Sequence, residues 1–269
     1  MIDTIPLMEQ LQGELVGLLR GFDAKQWAKP TACAGWSVKD VAAHLLDGHM
    51  RRLSLCRDGH SIAFEGGDLG AWLNGLNAQW VGATRRLSAR VLVELHELYG
   101  PQVMEFWRGL DPRGKAFFAV GWAGEAESEV WFDCARDFTE HWHHQQQIRE
   151  ATGSASLMNR EYYPVVLSIL MRSVPVAYAG VDEAAVVGIA AIGEAGGEWT
   201  LERRGDKSRW EIREGRASAG TDCRIEMAER DVWLLFTKKL TPGEAAGRAR
   251  VTGDRRWAEP FFGSRAVMG

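Results

Sequence analysis

The stretch SEVWFDCARDFTEHWHHQQQIRE, residues 128–150, decides the fold of the N-terminal part of this chain. It contains no Gly or Pro, so it is predicted to form one long helix. Its apolar face repeats at every fourth position: Val130, Cys134, Phe138 and Trp142. Inside this helix Glu140 and His144 stand four residues apart, and one helical turn therefore places them on the same side.

Helical patterns also fill the sequence before this stretch. Further helices are predicted from apolar spacing and from cap and turn residues: 4–20, a helix that opens at a Ser37–Asp40 capping box, about 71–87, and 88–99, which Gly100-Pro101 separates from a short segment ending near Leu110. Without a convincing strand in this part, residues 1–155 are predicted to form an α-helical bundle.

After Gly153 the apolar period changes from that of helices to that of strands. Strands are predicted at 186–192, 199–202, 210–213, 223–227 and 248–251, with helices at 161–174, 231–239 and 257–262 and a turn at Gly205-Asp206. Residues 156–269 are therefore predicted to form a small α+β domain, joined to the bundle by a linker near 152–160. The fold class is a multidomain α and α+β protein.

Composition excludes several classes of protein. The 269 residues are 46% hydrophobic and 25% charged, with a formal net charge of -4, which is typical of a globular protein without a nucleic-acid or membrane-surface partner. The N-terminal residues do not resemble a secretory signal, and no apolar run approaches the roughly 20 residues that span a bilayer. The four cysteines form no CxxC pair, so we expect reduced thiols in a cytoplasmic protein.

Three of the seven histidines lie in one turn of the long helix: His141, His143 and His144. A catalytic zinc site commonly uses three protein ligands and leaves the fourth position open. Glu140 and His144 can supply two ligands, and His44, on a separate amphipathic helix, is the best third. A competing set combines His141 and His144 with His44, while a solvated Glu–His pair would need no metal. His143 is expected at the surface.

Two segments resemble a known family. TACAGWSVKDVAAHL, residues 31–45, and EHWHHQQQIREA, residues 140–151, are similar to the mycothiol-dependent maleylpyruvate isomerase family, within the DinB-like metal-binding bundles. The resemblance implies a four-helix bundle for residues 1–155. The resemblance implies that His44, Glu140 and His144 bind a divalent metal, zinc in most members. RARVTGD, residues 248–254, and the strand pattern resemble the sterol-carrier-like C-terminal domain of the same family.

The resemblance implies an enzyme that uses mycothiol or another small thiol as cofactor. Metal coordination would make the thiol a nucleophile for cis–trans isomerisation of a small electrophilic substrate, or for S-transfer. The alternative is a non-catalytic metal-binding or metal-sensing protein whose C-terminal domain holds an apolar ligand.

Four other side chains near these segments are weaker candidates. Cys33 could approach the metal, or it could be a buried thiol. Asp137 and Arg136 could orient a ligand from outside the metal's own ligand set, or they could be helix-surface charges. Arg149 could meet an anionic substrate, but its position around the helix favours a structural anchor.

Overall fold

A computed structural model describes residues 1–60, 62–64, 66–203, 209–217 and 220–266. The chain divides into two compact units. The first contains Met1–Ala119 and Glu127–Leu157, and the second contains Val120–Ala126 and the described residues from Met158 onward. Independent folding of residues 1–155 and 156–269 stays a prediction. The predicted turn at Gly205-Asp206 lies outside the described residues.

The first unit is helical. Its helices are α1 (Ile5–Arg20), α2 (Ala24–Trp27), α3 (Val38–Arg52), α4 (Leu69–Thr84), α5 (Ala89–Arg108) and α6 (Val130–Thr152). The long helix predicted from residues 128–150 is α6, and it ends where Gly153 adopts a left-handed conformation with φ 71°. The capping box is also confirmed. Ser37 accepts a hydrogen bond from the backbone N–H of Asp40, whose side chain accepts one from Ser37 in return.

The predicted break between two helices in this unit is wrong. Gly100-Pro101 does not separate two helices, because α5 continues through Pro101 to Arg108. A proline inside a helix removes one backbone hydrogen bond and crowds the preceding turn. The segment after it nevertheless buries Val103, Met104 and Trp107, each at most 2% exposed. We attribute the continuity of the helix to this burial, since each large apolar side chain contributes about 1.5–3 kcal/mol.

The helices of the first unit pack around α3. This helix contacts α4, α5 and α6, and α1 contacts α5 and α6. Val41 and Leu46 of α3 are fully buried, and so are Leu92 of α5 and Ile148 of α6 in the same core. The face of α3 that carries His44 is therefore held against α6, where Glu140 and His144 lie.

A buried ionic cluster joins the end of α3 to the start of α6. The guanidinium of Arg52 donates to Asp133 at 3.1 Å and to Asp137 at 2.6 Å. It also lies 4.7 Å from the centroid of the Trp107 ring. Arg136 pairs with Asp133 from the same helix. Asp137 and Arg136 are thus part of an ion-pair network, which is neither of the two roles considered from the sequence.

The second unit is an α+β structure. Its strands are β1 (Ala185–Ile192), β2 (Gly197–Arg203), β3 (Glu211–Glu214), β4 (Cys223–Ala228) and β5 (Arg250–Gly253). They form one sheet in the order β3-β2-β1-β4-β5, in which β1 and β4 are parallel and the other neighbours antiparallel. Trp199 and Leu201 alternate with more exposed neighbours on β2, as the period of two predicts.

Short helices complete the second unit: α7 (Tyr163–Leu170), α8 (Val174–Ala177), α9 (Glu229–Phe236) and α10 (Pro242–Arg248). The last strand was predicted two residues too early, because Thr241 and Glu244 form a capping box that draws Arg248 into α10. The predicted closing helix is instead two short 3-10 turns, at Arg255–Trp257 and Pro260–Gly263. None of the helices in the described ranges is long and apolar enough to cross a membrane.

Candidate metal centre

Two helices of the first unit bring three ligand-type side chains together. His44 lies on α3, and Glu140 and His144 lie one turn apart on α6. One ligand atom from each residue lies within 4.8 Å of the other two. Within the described part of the chain, this is the one group of three or more His, Cys, Asp or Glu side chains that could hold a metal ion.

Two of the three distances between the ligand atoms suit a tetrahedral metal ion. Oε1 of Glu140 lies 3.3 Å from Nε2 of His44 and 3.1 Å from Nε2 of His144. Zinc binds nitrogen and oxygen at about 2.0–2.2 Å, so two ligand atoms at a tetrahedral angle are about 3.3 Å apart. Two imidazoles and one carboxylate also form a donor set that zinc commonly takes. The residues present therefore fit a divalent ion.

Burial and charge differ across the trio. His44 and His144 are buried, whereas the side chain of Glu140 is 47% exposed. Burial lowers the pKa of His44. Burial also acts to lower the pKa of His144, but the charge of Glu140 and hydrogen bonds with Cys33 and Glu140 raise it to about 10.

The carboxylate of Glu140 stays ionised. Desolvation opposes its charge, but His144 and His44 together hold the pKa of Glu140 well below its ordinary range. Because nearly half of this side chain is open to solvent, the two histidines dominate over desolvation. The carboxylate of Glu140 thus lies beside two imidazoles, and its negative charge favours a positive charge at this site.

The other histidines of the long helix do not join this trio. His141 stacks on His49 of α3, with ring centroids 4.4 Å apart and an interplanar angle of 13°. Within the described residues, the competing set of His44, His141 and His144 does not form a metal-binding group. His143 is buried at 8% exposure, so its expected surface position is wrong. The core on this side of α6 is wider than the every-fourth-residue pattern indicates.

The side of the His144 ring that faces away from Glu140 makes a polar contact that the sequence did not indicate. Nδ1 of His144 is 2.9 Å from Oε1 of Gln147, and the thiol of Cys33 donates to the same oxygen at 3.0 Å. Cys33 lies 3.9 Å from this Nδ1 atom, on the opposite edge of the ring from Glu140. The thiol is half-buried and faces Gln147 rather than the three ligand atoms. An i,i+3 His–Gln pair on a buried face is the signal that could have identified this contact.

Arg149 anchors structure, as its position on the helix predicted. Its guanidinium donates to Glu14 of α1 at 2.7 Å and to the carbonyl oxygen of Ala155 at 2.9 Å. These contacts fix the C-terminal end of α6 against α1.

Comparison with known proteins places the chain in a family. Residues 8–149 match the family described as Mycothiol maleylpyruvate isomerase N-terminal domain, and the chain belongs to that family. The resemblance drawn from the sequence is thereby confirmed. No curated protein matches the chain.

Among solved structures, the chain is similar to the crystal structure of the mycothiol-dependent maleylpyruvate isomerase, with a TM-score of 0.54 at 11% identity over 93% of this chain and 92% of that one. A histidine-to-alanine mutant of that enzyme matches with the same TM-score at 10% identity over the same shares of both chains. At such low identity the likeness shows the fold alone, and it agrees with the predicted α and α+β class.

Proposed function

We propose that the chain is an enzyme that uses a low-molecular-weight thiol, with mycothiol the first to test, for cis–trans isomerisation of a small electrophilic substrate. In this proposal His44, Glu140 and His144 hold one divalent ion, with zinc the first to test. The observation that carries the proposal is the convergence of three ligand atoms within 4.8 Å from two packed helices. The names of the family and of the solved relative support the thiol and the reaction class. S-transfer to a small electrophile would use the same thiol chemistry.

The trio leaves room for chemistry at a bound ion. It supplies three protein ligands, and a catalytic zinc site keeps its fourth position for water or substrate. When bound, a divalent ion stabilises the thiolate form of a coordinated thiol, which is the nucleophilic form near neutral pH. The alternative, a non-catalytic metal site, would need four protein ligands and no open position.

The chain's own side chains define how a small molecule reaches this site. Glu140 is 47% exposed, so the approach is open on its side of the trio. His44 and His144 are buried, and the centroid of the Trp36 ring lies 5.2 Å from that of the His44 ring. The Cys33 thiol donates a hydrogen bond to Gln147, and the other three cysteines are buried. We therefore expect the reacting thiol to come from a separate molecule.

The test combines metal analysis with a rate measurement. Purified protein should contain about one zinc per chain, and it should convert maleylpyruvate to its trans isomer in the presence of mycothiol. Removing the metal with a chelator should abolish this rate, and returning zinc should restore it. His144→Ala should lose both metal and activity, whereas His60→Ala, at an exposed histidine outside the site, should lose neither.

Two results would overturn the proposal in different ways. Full activity after complete metal removal would exclude the metal. Inactivity with mycothiol, bacillithiol and glutathione alike, together with a cobalt-substituted spectrum typical of four protein ligands, would favour a structural or sensing metal site.

A further inference from the structure

We propose that Gln147 is a positioning residue for the metal centre: it fixes the proton of His144 on Nδ1 and so directs the lone pair of Nε2 toward the ion. The proposal rests on the metal site proposed above. A histidine that binds a metal through one ring nitrogen almost always donates the other N–H to a fixed acceptor, which sets both the tautomer and the ring orientation. Gln147 is in the place of that acceptor.

The contact is close and fully enclosed. Oε1 of Gln147 lies 2.9 Å from Nδ1 of His144, and Gln147 is 1% exposed. The opposite nitrogen of the same ring, Nε2, faces Glu140 at 3.1 Å. His44 has no such partner, because its Nδ1 has no hydrogen bond within the described residues. Of the two histidines in the trio, His144 is therefore the one with an orienting group in place.

Two neighbours hold the amide of Gln147 in the orientation that this role requires. The Cys33 thiol donates to Oε1 at 3.0 Å, and Nε2 of Gln147 donates to Nε2 of His143 at 3.0 Å. A reversed amide would point its NH₂ group at Nδ1 of His144, which would move the ring proton to Nε2 and block metal binding there. His143, expected at the surface from its sequence position, thus keeps the carbonyl of Gln147 on His144.

Helix geometry explains how one amide reaches both rings. On α6, Gln147 lies four residues after His143 and three after His144, so both rings are its neighbours on the helix surface. Because all three side chains are buried, exchange of any of these hydrogen bonds with water carries a desolvation cost. The arrangement is therefore kept when the metal is absent, and it can act before the ion arrives.

The experiment compares two adjacent glutamines of equal burial. Gln147→Met keeps the length of the side chain and removes its oxygen acceptor. Gln146→Met is the matched control: Gln146 is 2% exposed, and its Oε1 accepts from the backbone N–H of Leu157 at 2.8 Å rather than from a metal ligand. Zinc dissociation constants are measured by competition with a chromophoric chelator, and cobalt spectra report the coordination geometry.

Gln147→Met should weaken zinc binding about 10–100-fold and alter the cobalt spectrum, the usual cost of losing a partner of a metal ligand. Gln146→Met should change neither, whatever it does to stability. Gln147→Glu, which retains the acceptor, should bind zinc at least as tightly as the wild type. If Gln147→Met fails to fold, the zinc affinity of Gln147→Glu alone tests the proposal. Wild-type affinity in Gln147→Met, or tenfold weaker binding in Gln147→Glu, would overturn the proposal.

A metal-independent measurement separates this proposal from the proposed function. The His144 Nδ1 proton is bonded to Gln147 whether or not the ring carries a second proton. It should give a slowly exchanging downfield NMR resonance in metal-free wild type and Gln146→Met, and no such resonance in Gln147→Met. If the wild type takes up no metal, the proposed function fails and this resonance still decides the role of Gln147. Its persistence in Gln147→Met would refute that role.

Discussion

His96 allows a quantitative prediction about acid stability. It lies on α5 with no exposed surface, and its Nε2 is 2.9 Å from the carbonyl oxygen of Ala42 on α3. A neutral ring can donate to that carbonyl, whereas protonation at Nδ1, which has no partner within the described residues, would place a charge in the core. Burial is the main cause that lowers its pKa from 6.5 to about 4, against the opposing effect of the Ala42 hydrogen bond.

The sign and size of the effect follow from proton linkage. Between pH 6.5 and about 4 the unfolded chain binds a proton at His96 and the folded chain does not. The contribution of His96 to stability is therefore complete above pH 6.5 and is lost as the pH falls. The slope is about 1.4 kcal/mol per pH unit, and the total is roughly 3 kcal/mol. Such a loss is a large part of the about 5–15 kcal/mol that stabilises a typical domain.

The assay is urea unfolding of metal-free protein, followed by far-UV circular dichroism from pH 7.5 to 4.5. In His96→Gln the amide can still donate to Ala42 but does not titrate, so the unfolding free energy should fall with pH less steeply by about 1.4 kcal/mol per unit. His60→Gln, the same change at an exposed loop position, should keep the wild-type slope. Equal slopes for His96→Gln and wild type would refute the reasoning, even if the variant were less stable at every pH.

Three further outcomes are expected. His44→Ala and His144→Ala should each lower the zinc content of purified protein from about one per chain to near zero, measured by elemental analysis; retained zinc in both would exclude this site. Arg52→Met should cost about 3–5 kcal/mol in chemical unfolding, because it removes the buried guanidinium that pairs with both Asp133 and Asp137, while Arg90→Met at an exposed ion pair should leave the free energy of unfolding nearly unchanged. Limited proteolysis should cut first within 152–160, since a linker exposes its backbone; a first cut inside a helix would contradict the predicted division.

Much of the fold was predictable because local signals agree with the tertiary structure. The capping box at Ser37 places the start of α3, and the unbroken pattern from Val130 gives α6. The prediction failed at Pro101, where the packing of Val103, Met104 and Trp107 outweighs the local preference of proline. Nothing in the spacing of residues before Val130 indicates that residues 120–126 belong to the second unit.

The candidate metal site could also be predicted only in part. The i,i+4 spacing gave Glu140 and His144. The place of His44 on a separate amphipathic helix made it the best third ligand, and the family resemblance implied the same set. The residues around the metal ligands were not predictable. A polar residue on α6 is expected to face solvent unless the positions of the neighbouring helices are known. Gln147 and His143 are buried because α6 is enclosed on more than one side. The role proposed for Gln147 depends on the position of Cys33, more than 100 residues earlier in the chain.

The Gly100-Pro101 pair that misled the helix prediction has a consequence for sequence divergence. A Cβ atom at Gly100 would lie 2.6 Å from Nε2 of Gln12 on α1, whose amide donates to the carbonyl oxygen of His96. Alanine at position 100 therefore requires a smaller side chain at position 12, a wider gap between α1 and α5, or a shift of Gln12 that disturbs its hydrogen bond to His96. We expect these two positions to change together among relatives. Their joint identity would then sort family members by how closely the first and fifth helices approach, with no structure needed for each.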